Sequence, residues 1–173
     1  EAIARRLLKV DWAHTVAYVP DQALSGAAIA ALGCDEIVMA PNATFGDAGP
    51  IFMGEDALFR HAPEKIRSHL ARIVRDLAEQ TGRPPALAEA MVDMDLIVYR
   101  TLNKDTGEIL YLSEAEIASD ARPEQWERKE PIHESRAGHF LEVNGARAVE
   151  LGLANANVAD RDELRARYQL PED

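Results

Sequence analysis

The stretch ALSGAAIAALGCDEIVMAP, residues 23–41, sets a Ser–Gly pair ahead of a run of small apolar residues. A charged pair, a short β-type segment and a proline follow. Two readings of Ser25 arise. Serine is a preferred helix N-cap, and as a cap its oxygen accepts from an amide of the first turn. A hydroxyl on a turn at a helix start also faces free amides and the positive end of the helix dipole, which suits a nucleophile. In that second reading the Gly26 amide donates to an oxyanion at the reacting carbonyl, and glycine lets a substrate approach closely.

Working outward, TVAYV (15–19) reads as a strand before Pro20, residues 25–33 as a small-residue helix and EIVMA (36–40) as a second strand. PNATFGDAGPI (41–51) reads as a loop or irregular extended segment. The clearest helix runs over about 63–81, with Ile66, Leu70, Ile73, Val74 and Leu77 on one face, ended by Gly82 and Pro84. Residues 2–10 have helical spacing, with Ile3, Leu7 and Val10 on one side. Residues 87–92 predict a short helix, and 96–101 with 108–112 a hairpin around NKDTG. Ser113 and Glu116 have capping-box spacing. Residues 119–138 read as a polar insertion or long loop, 146–151 as a short helix and 160–170 as a charged helix. Interspersed strands and helices favour an α/β layer fold.

The 173 residues suffice for one domain with a real core. The formal charge of −11 argues against nucleic acid as the main partner, because phosphate binding needs a basic surface. The lone cysteine, Cys34, excludes an intrachain disulfide and a Cys-based zinc site, and its apolar setting predicts a buried, inert thiol. No apolar run is long enough to span a bilayer, and no signal peptide is visible. The opening EAIARRLLKV reads as a helix already under way, so the chain is expected to be a piece of a longer protein. Asp93 and Asp95 lack a nearby third ligand and read as solvated, so no metal or other cofactor is expected. Trp12 and Trp126 read as packing residues.

A nucleophilic Ser25 needs a base. His14, His61, His69, His133 and His139 are scattered, and none sits in a familiar triad context. Lys65 is the other option. A cation in a first helical turn is opposed by the macrodipole, and burial there lowers an amine's pKa. Taken alone, beside Glu64, it reads rather as a solvated surface lysine.

Residues 23–51 resemble the nucleophile segment of the ClpP-class membrane-associated serine proteases of the NfeD, stomatin-operon partner type, relatives of signal peptide peptidase A. The likeness continues through Lys65, AEQTGR (78–83), AEAMVD (88–93) and the closing ARAVELGLAN, and covers residues 15–93 and 144–155. It implies a ClpP/crotonase fold of stacked β-β-α units, lacking the N-terminal unit that contributes a further oxyanion donor. It also implies a Ser–Lys dyad, with Ser25 as nucleophile, Lys65 as general base and Gly26 as oxyanion-hole amide. Phe45, Gly46, Asp47, Ala48 and Gly49 begin an extended segment (45–51) expected to pair with substrate as an added strand. By the same resemblance the substrates are hydrophobic tails of membrane proteins. The resemblance further implies that the domain is a homo-oligomer and that the full-length bacterial protein associates with the membrane through regions outside this chain.

Two rival readings remain. Crotonase-type acyl-CoA enzymes share the fold, and their pattern echoes GAAIAALGCDEIVMAPNATFG. Against them, Ser25 stands where they usually carry glycine, and Asp47-Ala48-Gly49-Pro50 follows Phe-Gly without the expected glutamate. The other rival is a protease relative that has lost its chemistry and serves as a binding or assembly domain.

Overall fold

The computed structural model describes residues 1–53 and 58–171. After α1 (Ala2–Leu7) the chain forms β1 (Val16–Val19), β2 (Gln22–Leu24), α2 (Gly26–Leu32), β3 (Glu36–Met39) and β4 (Thr44–Gly46). Then come β5 (Ile51–Met53), β6 (Phe59–His61), the long α3 (Glu64–Gln80) and α4 (Pro85–Ala90). β7 (Val98–Asn103) and β8 (Ile109–Ser113) lead into α5 (Glu114–Ser119) and β9 (Trp126–Pro131). β10 (Glu142–Asn144), α6 (Gly145–Glu150), β11 (Ala156–Asn157) and α7 (Arg161–Tyr168) close the described chain.

Each early pair of strands divides between two sheets. β1 runs parallel to β3, with Val16 opposite Glu36 and Val19 opposite Met39. β2 runs parallel to β4, with Gln22 opposite Thr44 and Leu24 opposite Gly46. The chain therefore turns from one sheet into the other at Pro20–Asp21, and again between Met39 and Thr44, with α2 joining the two passes. This is a β-β-α repeat, as expected. β10 adds antiparallel to β4 and β11 parallel to β3, so residues distant in sequence complete both sheets.

Packing explains the arrangement. Ile37, Val38 and Met39 are fully buried, as befits the central strand of a sheet covered on both faces. At Gly145 a Cβ would stand 2.1 Å from the Ala40 carbonyl oxygen, so only glycine lets α6 begin against the corner between β3 and β4. Arg83 is buried and ties the layers together. Its guanidinium donates to the Leu153, Leu32, Cys34 and Asp35 carbonyls and to Asn155 Oδ1. Cys34 is buried, and that burial pushes its thiol pKa up.

The structure differs from the sequence reading in several places. Residues 119–138 are not a loop throughout, because β9 pairs antiparallel with β7. That strand is charged and lacks the apolar alternation that marks a half-buried strand. On α1 it is Ala4 that is buried, whereas Ile3 is exposed. Ile66 is also exposed, although Ile73, Val74 and Leu77 of the same helix enter the core. Trp12 is 84% exposed rather than packed in the core, while Trp126 donates its indole N–H to Asp120. Asp93 and Asp95 flank Arg67, at 3.5 and 3.3 Å. The capping box at Ser113 and Glu116 forms as its spacing predicts.

Candidate functional site

Ser25 occupies the single residue between β2 and α2, with φ 53° and ψ −125°. Positive φ is rare for a residue with a side chain and costs on the order of 1–3 kcal/mol. The conformation is held by its neighbours. The Ser25 N–H lies 3.2 Å from the Gly46 carbonyl oxygen and 3.1 Å from that of Asp47. Gly46 (φ 126°) and Asp47 (φ 37°) are themselves in the positive region, where the chain leaves β4 and swings past Ser25. At Gly46 a Cβ would collide with the Leu141 carbonyl oxygen at 2.3 Å. The Asp47 N–H donates to that same oxygen. Two sharp turns thus brace one another.

The Ser25 side chain makes no capping hydrogen bond to α2, and the residue is exposed. The helix-cap reading therefore fails on geometry. A sharp, strained strand-to-helix turn that presents a serine hydroxyl is the arrangement of a nucleophile elbow. The Gly26 N–H meets no backbone acceptor among the described residues, and nothing lies within 4 Å of the position its Cβ would take. That amide is free to donate to a group placed against Ser25.

Ser25 opens into a cavity of about 460 Å³. Leu24, Gly49, Ile51, Met94 and Phe140 supply apolar or backbone lining, and Asp47, His61 and His139 supply polar groups. Of the residues expected at the site, Ser25, Asp47 and Gly49 are brought together here. Phe45 is fully buried in β4, which is paired on both edges, so residues 44–46 cannot receive an added strand. Ala48 is buried, and its N–H donates to the Met91 carbonyl. Lys65 is the second residue of α3, exposed, and not among the residues lining the cavity. It lies four residues after His61, the last residue of β6. Arg67, one residue pair further on, clips the start of α3 to Asp93 and Asp95, on either side of Met94 in the cavity wall.

Sequence reasoning missed His61, Met94, His139 and Phe140 as cavity residues. None lies in a recognisable motif, and they come from three separate segments. Only the small size of Gly49 carried a trace of them, since an aromatic ring stands against it.

The family described as NfeD1b, N-terminal domain, matches residues 1–125. The chain belongs to that family. Among solved structures, this NfeD1b-type domain is similar to the membrane-bound stomatin-specific protease 1510-N. A lysine-to-alanine variant of that protein in complex with a substrate peptide is 19% identical, with a TM-score of 0.62. A serine-to-alanine variant is likewise 19% identical, with a TM-score of 0.63. The likeness covers 94% and 95% of this chain but 55% and 59% of those chains, so the domain spans little more than half of their length. At that identity the likeness establishes the ClpP-like α/β fold. No curated protein matches the chain.

Proposed function

We propose that this chain carries the catalytic unit of a serine endopeptidase that cuts hydrophobic segments of membrane-associated proteins. The observation that carries the reading is Ser25 itself: a strained, uncapped serine on a strand-to-helix turn, facing a cavity. Neutral Lys65 takes the Ser25 proton as the hydroxyl attacks a peptide carbonyl. The Gly26 amide stabilises the oxyanion, an acyl-enzyme forms as the amine leaves, and water completes hydrolysis. A lysine acts as base only where it is desolvated. Because Lys65 is exposed, a bound substrate or a neighbouring subunit is required to cover it. The substrate strand runs along Gly49–Ile51, which leads into β5, and β5 has β6 on one edge and no partner on the other among the described residues. Ile51, Phe52, Leu58 and Ile66 are exposed large hydrophobics around this approach, which supports an apolar substrate. Homo-oligomerisation, and membrane association through regions outside this chain, belong to the same proposal. No helix among the described residues is long and apolar enough to cross a membrane.

A second reading places the base at His61, because His61 lines the cavity and Lys65 does not. The test is hydrolysis of a hydrophobic peptide by Ser25→Ala, Lys65→Ala and His61→Ala variants of the full-length protein. Under the primary reading the first two lose about 10³-fold or more in kcat/KM and His61→Ala loses far less. Full activity in Ser25→Ala refutes both readings. Loss in His61→Ala with Lys65→Ala intact assigns the base to His61.

A further inference from the structure

We infer that Phe140 is the specificity-determining residue of the Ser25 cavity. Its ring is the wall that limits the size of the substrate side chain held beside the hydroxyl. The inference rests on the peptidase reading above and adds to it which residue reads the substrate.

Three observations carry it. The ring lies against Gly49 so closely that a Cβ there would stand 2.1 Å from two of its carbons. On another side the His61 ring meets it edge-on, with centroids 5.4 Å apart and planes at 70°. The backbone beneath is stitched at both ends. Gly138 N–H donates to the Met94 carbonyl and Leu141 N–H to the Ala90 carbonyl, each at 2.8 Å, while the Leu141 carbonyl accepts from Asp47 N–H at 2.9 Å. The backbone that carries Phe140 is therefore tied to the segment that also holds Ser25. Packed against Gly49 and the His61 ring on that tied backbone, the ring forms one wall of the cavity.

The remaining apolar lining is Leu24, Ile51 and Met94. Methionine is adaptable and fills irregular gaps, so it tolerates different occupants. Ile51 is 58% exposed and sits at the rim. Phe140 is the large rigid group, and size discrimination falls to it. The side chain it reads is the one on the acyl side of the scissile bond, which stays beside Ser25 in the acyl-enzyme. Gly49 and Phe140 form a matched pair: glycine makes room for the ring, and the ring takes up room that a bulky substrate would use.

The experiment uses N-acetylated p-nitrophenyl esters of alanine, leucine, phenylalanine and tryptophan with wild type, Phe140→Ala and Gly49→Ala. In parallel, binding of the corresponding N-acetyl amino acid amides to Ser25→Ala protein, with and without Phe140→Ala, is followed by NMR titration. Phe140→Ala should raise the Phe/Leu ratio of kcat/KM about tenfold or more, the usual scale of discrimination by a hydrophobic pocket. It should shift the binding ratio in the same direction. Gly49→Ala, whose Cβ would overlap the ring and force it to shift, should change the Phe/Leu ratio as well. Ester hydrolysis that depends on Ser25 but has the same ratio in all three proteins overturns the specificity role and leaves the peptidase reading standing. A shifted binding ratio with no Ser25-dependent hydrolysis supports the subsite and overturns the peptidase reading. An unchanged ratio in both assays overturns the inference.

Discussion

At the scale of the residue, Ser25 is held in a conformation that its own chemistry disfavours. A backbone at φ 53° and ψ −125° suits glycine, yet the position carries a hydroxyl and gains no capping bond from it. Strain kept at a site where it yields no local stability is expected where function depends on the side chain. Ser25→Gly should therefore unfold at a higher denaturant concentration than Ser25→Ala, by about 1 kcal/mol in stability, while both lose hydrolysis. Chemical denaturation of the two variants reads this directly, and an equal or lower stability of the glycine variant would contradict the strain. The sequence alone left Ser25 between cap and nucleophile. Both readings require a serine before a small-residue helix, and they differ only in backbone dihedrals fixed by Gly46 and Asp47, residues from another strand.

At the scale of the element, the strongest joint is Arg83. It follows α3 in the chain but reaches the end of α2 and the residues leading into β11. Helix C-termini leave carbonyls without partners, and buried ones must find donors. Arg83 supplies them, and among the described residues no carboxylate pairs with it directly. Burial pulls its pKa down, although a guanidinium stays charged. Arg83→Leu removes the donors and leaves several carbonyls unsatisfied. It should cost about 3 kcal/mol or more in equilibrium unfolding, whereas the same change at exposed Arg72 should cost less than about 0.5 kcal/mol. The long helices, the β7–β8 hairpin and the capping box were legible because their signals are local: apolar period, turn residues and cap spacing. The short strands β2, β4 and β10 were not legible, because three residues carry no usable period and their pairing partners lie far off in sequence.

At the scale of the whole molecule, the start of the central strand β3 is where distant parts are fastened. The Thr15 N–H and hydroxyl both donate to Asp35, and the Asp35 N–H donates back to the Thr15 hydroxyl oxygen. Glu36 accepts from the Tyr168 hydroxyl at 2.6 Å, bringing α7 onto the sheet, and His14 reaches the same carboxylate. The Thr15 backbone bond, then its hydroxyl, hold Asp35 below the usual carboxylate pKa, and the Tyr168 bond does so for Glu36. A depressed folded-state pKa contributes stability above the unfolded-state value, and that stability is lost as pH falls through the folded-state value. Stability should thus be level near neutrality with respect to these two groups and decline below about pH 4. Urea unfolding as a function of pH checks this. Asp35→Asn should flatten the acid limb, and an acid limb as steep as that of wild type would remove these groups as its cause.

The sequence by itself determined the α/β class, the order of the main helices, the β-β-α repeat implied by resemblance, and Ser25 as the residue to examine. These follow from local periodicity and from motifs in a fixed order, which survive without knowledge of contacts. Only the tertiary structure decided that Ser25 is strained rather than capping, that Phe45 and Gly46 lie in a strand paired on both edges, and that 126–131 is a strand. It alone placed His61, Met94, His139 and Phe140 around the serine and left Lys65 outside the cavity wall. Those outcomes depend on which segments pack together. Close packing at Gly46, Gly49 and Gly145 sets the positions of groups that no spacing along the chain relates.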